Sequence, residues 1–162
     1  MGRDKSRVRL GRRTLLGHVR AAALATGLPV RVIRRDAVPR CGPLGGVITA
    51  LRRLPADRVL FLSCDQPLVT SEFLRWFLAS TPRGGFVYSP AERAVGFPFV
   101  LSRDALSVVE AQVAGGDFSL QRLARVLRVR RVRVPRRLAA QLLNLNTPAQ
   151  LAQARRTHGQ KP

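Results

Sequence analysis

The chain has 162 residues, 46% of them hydrophobic, enough for a domain with a packed core and too apolar for a disordered segment. No apolar run reaches the length of a membrane span, the basic N-terminus lacks a secretory apolar stretch, and Cys41 and Cys64 have no metal-site spacing, so the reducing cytoplasm is the expected compartment. The net charge of +20 comes almost wholly from arginines scattered between Arg3 and Arg156, without a helix-turn-helix, zinc-finger or aromatic RNA-binding signature. Direct nucleic-acid binding is therefore the lesser reading, and the charge suits small polyphosphate substrates equally.

In chain order, Thr14 is expected to cap a helix through about Ala25, with Leu15, Val19 and Ala22 or Ala23 on one face. Gly27 and Pro29 end it, and Val30–Ile33 reads as a short strand. The turn Gly42-Pro43-Leu44-Gly45-Gly46 leads into a helix near Val47–Arg53. Val59–Leu62 is an unbroken apolar run, as expected of a strand covered on both faces, and it stops at Ser63-Cys64-Asp65-Gln66-Pro67. Thr70 or Ser71 then caps an amphipathic helix carrying Phe73, Leu74, Phe77 and Leu78.

Two short strands are expected around Phe86–Tyr88 and Phe97–Leu101, followed by helices opened at Ser102 and Asp104 and at Asp117 or Ser119. The arginine-dense stretch Arg125–Arg137 interleaves Val126, Val129, Val132 and Val134, as a half-buried strand would. Thr147 at the cap and Pro148 at the first helical position start the last helix. This alternation predicts an α/β layered fold with a mostly parallel sheet, one domain over residues 1–156 and a frayed tail over 157–162.

Three places have residues suited to chemistry. Asp65 lies just past a strand end, where open α/β sheets bind ligands, and a carboxylate there can coordinate Mg2+; a turn-forming or capping aspartate is an equal alternative. Asp36 follows the expected strand at 30–33 and precedes the glycine-rich turn, which either lets backbone approach a ligand or makes a tight connection. Lys5, in Met1-Gly2-Arg3-Asp4-Lys5, can offset phosphate charge, although taken alone the segment reads as an ordinary N-terminal tail.

Together these pieces form a pattern. Met-Gly-Arg-Asp-Lys at 1–5, Asp36 followed by Gly-Pro-Leu-Gly-Gly, Cys-Asp-Gln-Pro at 64–67 and Asn-Leu-Asn-Thr-Pro at 144–148 occur in a single order. From Met1 to about Ala154 the chain resembles the molybdenum cofactor guanylyltransferases. The resemblance implies a Rossmann-like three-layer nucleotidyltransferase fold and transfer of GMP from GTP to the terminal phosphate of molybdopterin, releasing pyrophosphate. It implies Mg2+ as cofactor, GTP and molybdopterin as substrates, and molybdoenzymes or cofactor-biosynthesis proteins as partners. By the same resemblance Lys5 and Asp65 are catalytic, Lys5, Asp36 and Asp65 bind nucleotide, Asp65 binds the metal, and Asn144 and Asn146 bind substrate. A sister group transfers CMP, but the first motif, the glycine-rich turn and Asn-Thr-Pro look more like the guanylyl branch.

Relatives carry a strand and a Leu-Ala-Gly-Gly-Xaa-Ser-Xaa-Arg loop directly before Met-Gly, and a further strand ahead of the segment at Val30. The sheet is accordingly expected to lack its first strand, and residues 1–162 alone are expected to bind GTP weakly, through charge without an amide cradle. The competing reading is a degenerate paralogue that binds without turnover. Genomic DNA upstream of the Met1 codon separates the two. In-frame codons are expected to encode a short apolar strand and a Gly-Gly-Xaa-Ser-Xaa-Arg-like loop, whereas an in-frame stop with no such loop favours the degenerate paralogue.

Overall fold

The computed structural model describes residues 8–90 and 93–158, with the backbone alone at Pro148 and over 156–158. In chain order the first elements are β1 (Arg9–Leu10), β2 (Arg13–Thr14), α1 (Leu15–Leu24), α2 (Pro43–Arg53), β3 (Arg58–Phe61) and α3 (Ser71–Ser80). Then come β4 (Gly85–Ser89), β5 (Ala94–Ser102), α4 (Ala105–Ala114), α5 (Leu120–Val126), β6 (Arg130–Arg133), α6 (Arg136–Ala139) with a 3-10 turn at Ala140–Leu142, and α7 (Pro148–His158). The described residues pack as two compact units. Of the described residues, one comprises those up to Val30, Leu62–Phe77 and those from Pro135; the other comprises Arg31–Phe61 and those of Leu78–Val134.

The second unit holds a four-stranded sheet in the order β3-β5-β4-β6. β3, β4 and β6 run the same way and β5 runs against them, so the sheet is mixed with mostly parallel strands. The reversal follows from the short β4–β5 connection, which pairs Ser89 with Ala94 as only an antiparallel hairpin can. Phe99 sits opposite Phe61 on one side and Phe86 on the other, with ring centroids 4.9 and 4.7 Å away. Leu44, Val47, Ile48 and Leu51 of α2, Val109 of α4 and Leu123 of α5 close this core.

α2 begins where Gly42 takes φ 53° and ψ −139°, a region closed to side chains, and Pro43 supplies the first helical residue. A Cβ on Gly45 would lie 2.6 Å from the Val38 carbonyl oxygen and 2.8 Å from Asp36 Oδ2. The Thr49 hydroxyl donates to the Gly45 carbonyl at 2.7 Å and accepts from the Ala37 N–H at 2.7 Å. The glycine-rich stretch thus makes a tight connection and seats Asp36–Val38 on the helix.

In the first unit, β1 and β2 form a hairpin, with Gly11 in the left-handed region at φ 60°, that runs straight into α1. Thr14 caps α1 as expected, its hydroxyl accepting from the Gly17 N–H at 3.0 Å. Leu10, Leu15, Leu145, Leu151 and Ala154 form this unit's core, with Leu68 packed against it. At the start of α7 the Thr147 hydroxyl accepts from the Gln150 N–H, while Gln150 Oε1 accepts from the N–H groups of Asn146 and Thr147, a reciprocal cap.

Three expectations are corrected. Val30–Ile33 is not a strand: no neighbouring strand pairs with it among the described residues, and Val32 and Ile33 stay exposed. The arginine–valine alternation becomes strand only over Arg130–Arg133. Arg125 and Val126 belong to α5, where the Ser119 cap and the 3.6-residue spacing of Leu120, Leu123 and Ala124 prevail. Arg128 breaks the chain at φ 50°, and Pro135, without an N–H, ends the extended segment before α6. β3 is an edge strand of the described sheet, with Val59 and Leu60 half-buried rather than covered on both faces. α7 is described through His158, and residues 159–162 of the expected tail lie outside the described residues.

Gly45 and Gly46 should respond oppositely to alanine. Gly45→Ala meets backbone and is expected to cost about 1–3 kcal/mol. Gly46→Ala meets nothing nearer than Asp36 Oδ1 at 3.5 Å. It removes a helical glycine and should stabilise by up to about 1 kcal/mol. Urea unfolding of the two variants checks the order, and a Gly45→Ala protein as stable as the parent would refute the close-packing account.

Candidate functional site

Beyond Phe61 the chain leaves the sheet and turns at Cys64–Asp65, with the Val69 N–H donating to the Gln66 carbonyl at 3.3 Å. A segment 76 residues further on is bonded to this turn at three points. The Leu145 N–H donates to the Asp65 carbonyl at 2.8 Å. The buried Gln66 side chain donates through Nε2 to the Leu142 carbonyl at 3.4 Å. Gln141 Oε1 accepts from both the N–H and the hydroxyl of Thr70, each at 2.9 Å.

The turn and the 141–147 segment therefore stand side by side, and they carry two sequence-predicted groups: Asp65 on one and the Asn144/Asn146 pair on the other. Leu145 is buried between the two asparagines, which places Asn144 half-buried and Asn146 exposed. Asp65 Oδ1 is buried and has no hydrogen-bond partner. Burying a carboxylate oxygen without a partner is costly, and in native proteins such a group is commonly satisfied by a cation, a water or a ligand donor. Among the described residues no group of three or more His, Cys, Asp or Glu side chains is placed to hold a metal. A cation at Asp65 would thus take its other ligands from water and phosphate, as Mg2+ does, so the donor set fits that ion better than a caged transition metal.

Asp36 belongs to the other unit. It is exposed, and its carboxylate faces Gly45 and Gly46 in the first turn of α2. That position places an anion at the positive end of a helix, and the neighbouring Ala37–Thr49 bond holds it there. Lys5 lies outside the described residues. Sequence reasoning gives Gln66, Gln141 and Thr70 no part in the site, although Gln66 stands in one of the motifs and Thr70 is expected to cap a helix. Glutamine and threonine are ordinary surface residues until the partner segment is known, and no local pattern links residue 70 to residue 141.

The sequence profile of the MobA-like NTP transferase domain matches residues 1–134. A probable molybdenum cofactor guanylyltransferase of Opitutus terrae is 29% identical over 181 residues, covering 98% of this chain and 90% of that protein. A probable molybdenum cofactor guanylyltransferase of Methanothermobacter thermautotrophicus is 56% identical over 45 residues, a match spanning 28% of this chain and only 22% of that relative. The crystal structure of molybdopterin-guanine dinucleotide biosynthesis protein A from Archaeoglobus fulgidus superposes with a TM-score of 0.68 at 17% identity, covering 99% of this chain and 93% of that one. At that identity the likeness is one of fold, and it establishes the α/β nucleotidyltransferase architecture expected from the motifs. With the profile spanning most of its length, the chain belongs to the MobA-like NTP transferase domain family.

Proposed function

We propose that the chain transfers GMP from GTP to the terminal phosphate of molybdopterin, releasing pyrophosphate, with Mg2+ as cofactor. The observation that carries this reading is the buried, unpartnered Asp65 Oδ1, on a turn bonded through backbone to the segment that carries Asn144. A metal-binding carboxylate and a neutral amide suit a site where two phosphate-bearing substrates must meet. Family membership and the relatives' names supply the substrates. Cys41 and Cys64 are not joined in a disulfide, and a reducing cytoplasm is the setting assigned to the reaction.

Asp65 is the residue that would hold the metal, which when bound offsets charge on the triphosphate and on the departing pyrophosphate. Asn144 and Asn146 hold and orient the molybdopterin phosphate, whose oxygen attacks the α-phosphorus of GTP in line with the α–β bridge. The new P–O bond forms as the bridging bond breaks, and pyrophosphate leaves with its electron pair. No covalent enzyme intermediate is required. Lys5 offsets phosphate charge, and Asp36, fixed against α2, contributes to the nucleotide pocket. Molybdoenzymes or other cofactor-biosynthesis proteins would receive the product.

The test is pyrophosphate release by the protein expressed from its genomic reading frame. Release should require GTP, molybdopterin and Mg2+ together, and CTP should substitute poorly. Molybdopterin association without release at any Mg2+ concentration would instead identify a binding-only paralogue. Asp65→Asn should lower turnover by about 100-fold or more, the scale of losing a preorganised electrostatic group. Turnover within a few-fold of the parent across a Mg2+ titration would reject Asp65 as the metal ligand.

The same variant carries a second, opposite expectation. Because Asp65 Oδ1 has no partner to lose, Asp65→Asn should unfold within about 1 kcal/mol of the parent or be slightly more stable. Urea unfolding reads this directly. A loss of several kcal/mol would mean that the carboxylate is structural.

A further inference from the structure

The three bonds between the Asp65 turn and the 141–145 segment differ in kind. At Asp65–Leu145 both partners are backbone groups, so side-chain changes cannot delete the bond. At Gln66–Leu142 the donor is a buried amide, and changing it disturbs the packing around it. At Gln141–Thr70 a half-buried side chain carries the whole connection, and it does so only as an acceptor: Oε1 takes both the Thr70 N–H and the Thr70 hydroxyl proton. The Thr70 oxygen in turn accepts the Phe73 N–H at 3.2 Å, so the same pair also closes the first turn of α3.

Between Gln141 and Leu145 only three residues intervene, and Asn144 is one of them. Its half-buried side chain makes no hydrogen bond among the described residues, which leaves the amide available for a ligand. The segment is thus tied at each end, at Gln141 by a side chain and at Leu145 by backbone and core packing, with a free amide held in between. With Gln141 loosened, the segment keeps only the Gln66–Leu142 and Asp65–Leu145 bonds to the turn, so it should open from the turn more often, displacing Asn144 and exposing the Leu145 N–H while the cores stay intact. Effective catalysis and binding depend on such groups being held within fractions of an ångström.

We propose that Gln141 is a positioning residue: through its side-chain carbonyl oxygen it holds the segment that carries Asn144 against the Asp65 turn, and so sets the affinity for the phosphate-bearing acceptor rather than for the nucleotide. This rests on the assignment of Asn144 to molybdopterin. Chemistry makes the idea separable from a merely structural role. Glutamate at this position keeps an acceptor oxygen for Thr70, whereas leucine keeps the bulk and loses the acceptor.

The experiment compares parent, Gln141→Glu and Gln141→Leu, each expressed from the genomic reading frame, by three measurements: amide hydrogen exchange at Leu145, and equilibrium binding of molybdopterin and of GTP with Mg2+. Gln141→Leu should speed Leu145 exchange about tenfold, the equivalent of one net hydrogen bond. It should also weaken molybdopterin several-fold and leave GTP within twofold. Gln141→Glu should match the parent in all three. Equal losses for both ligands, unchanged Leu145 exchange in Gln141→Leu, or a glutamate variant that behaves like leucine would each overturn the proposal. If the parent binds no molybdopterin, the assignment of Asn144 to that substrate fails. The exchange comparison then decides the positioning role alone: faster in leucine and parental in glutamate upholds it, and any other pattern ends it.

Discussion

Leu145 is held from both ends. Its N–H donates to the Asp65 carbonyl at 2.8 Å, and its side chain is buried with Leu10, Leu15, Leu151 and Ala154. A backbone amide that satisfies a distant turn and a side chain that fills a core cannot move independently, so the position of the 141–147 segment follows from that of the hydrophobic cluster. Asn144 and Asn146 then fall on either side of a fixed point. The unpartnered Asp65 Oδ1 costs stability in isolation, and the surrounding bonds supply the rigidity that lets such a group persist.

A comparable logic orders the other unit. Phe99 lies between Phe61 and Phe86 across three neighbouring strands, and this aromatic row sets the register of the sheet against α2, α4 and α5. α2 in turn carries the Asp36–Val38 segment, pressed so closely that Gly45 admits no side chain. A glycine motif that in isolation invites a ligand-binding reading is here required by the chain's own packing. The carboxylate of Asp36 is placed at the helix start as a by-product of that packing, exposed and fixed in direction.

Some of the arginines have a structural task apart from ion pairing. Among the described residues the ion pairs Arg52–Glu110 and Arg122–Asp117 join partly exposed side chains, which contribute little in water. Other arginines donate to backbone carbonyls instead: Arg75 to Ala25 just beyond α1, Arg130 to Ser80 at the last residue of α3, Arg58 to Pro82, and Arg155 to Arg9. Carbonyls at helix ends lack intrahelical partners, and a cation there also meets the negative end of the helix dipole. Arginine suits this task because its planar fork reaches a carbonyl while its charge remains in water.

Local signals in the sequence were sufficient wherever a local interaction decides the outcome. Thr14, Thr70, Ser119 and Thr147 each mark a helix start that the structure caps, because a cap is settled within four residues. The strands around Phe86 and Phe99, the exit from the sheet before Asp65 and the four motifs that carry the family were legible for the same reason. Val30–Ile33 was misread, since a strand needs a neighbour to satisfy its backbone and no local pattern says whether one will be present; the arginine–valine stretch is strand only over Arg130–Arg133, because the helix capped by Ser119 takes its first residues. Tertiary structure alone decided that Gly45 is a packing glycine, that Asp65 Oδ1 is buried without a partner, and that Gln66, Thr70 and Gln141 belong to the candidate site. Each of those facts is a contact between residues distant along the chain or a burial produced by such contacts, and hydrogen-bonding partners 71 and 76 residues apart leave no trace in either segment's own sequence.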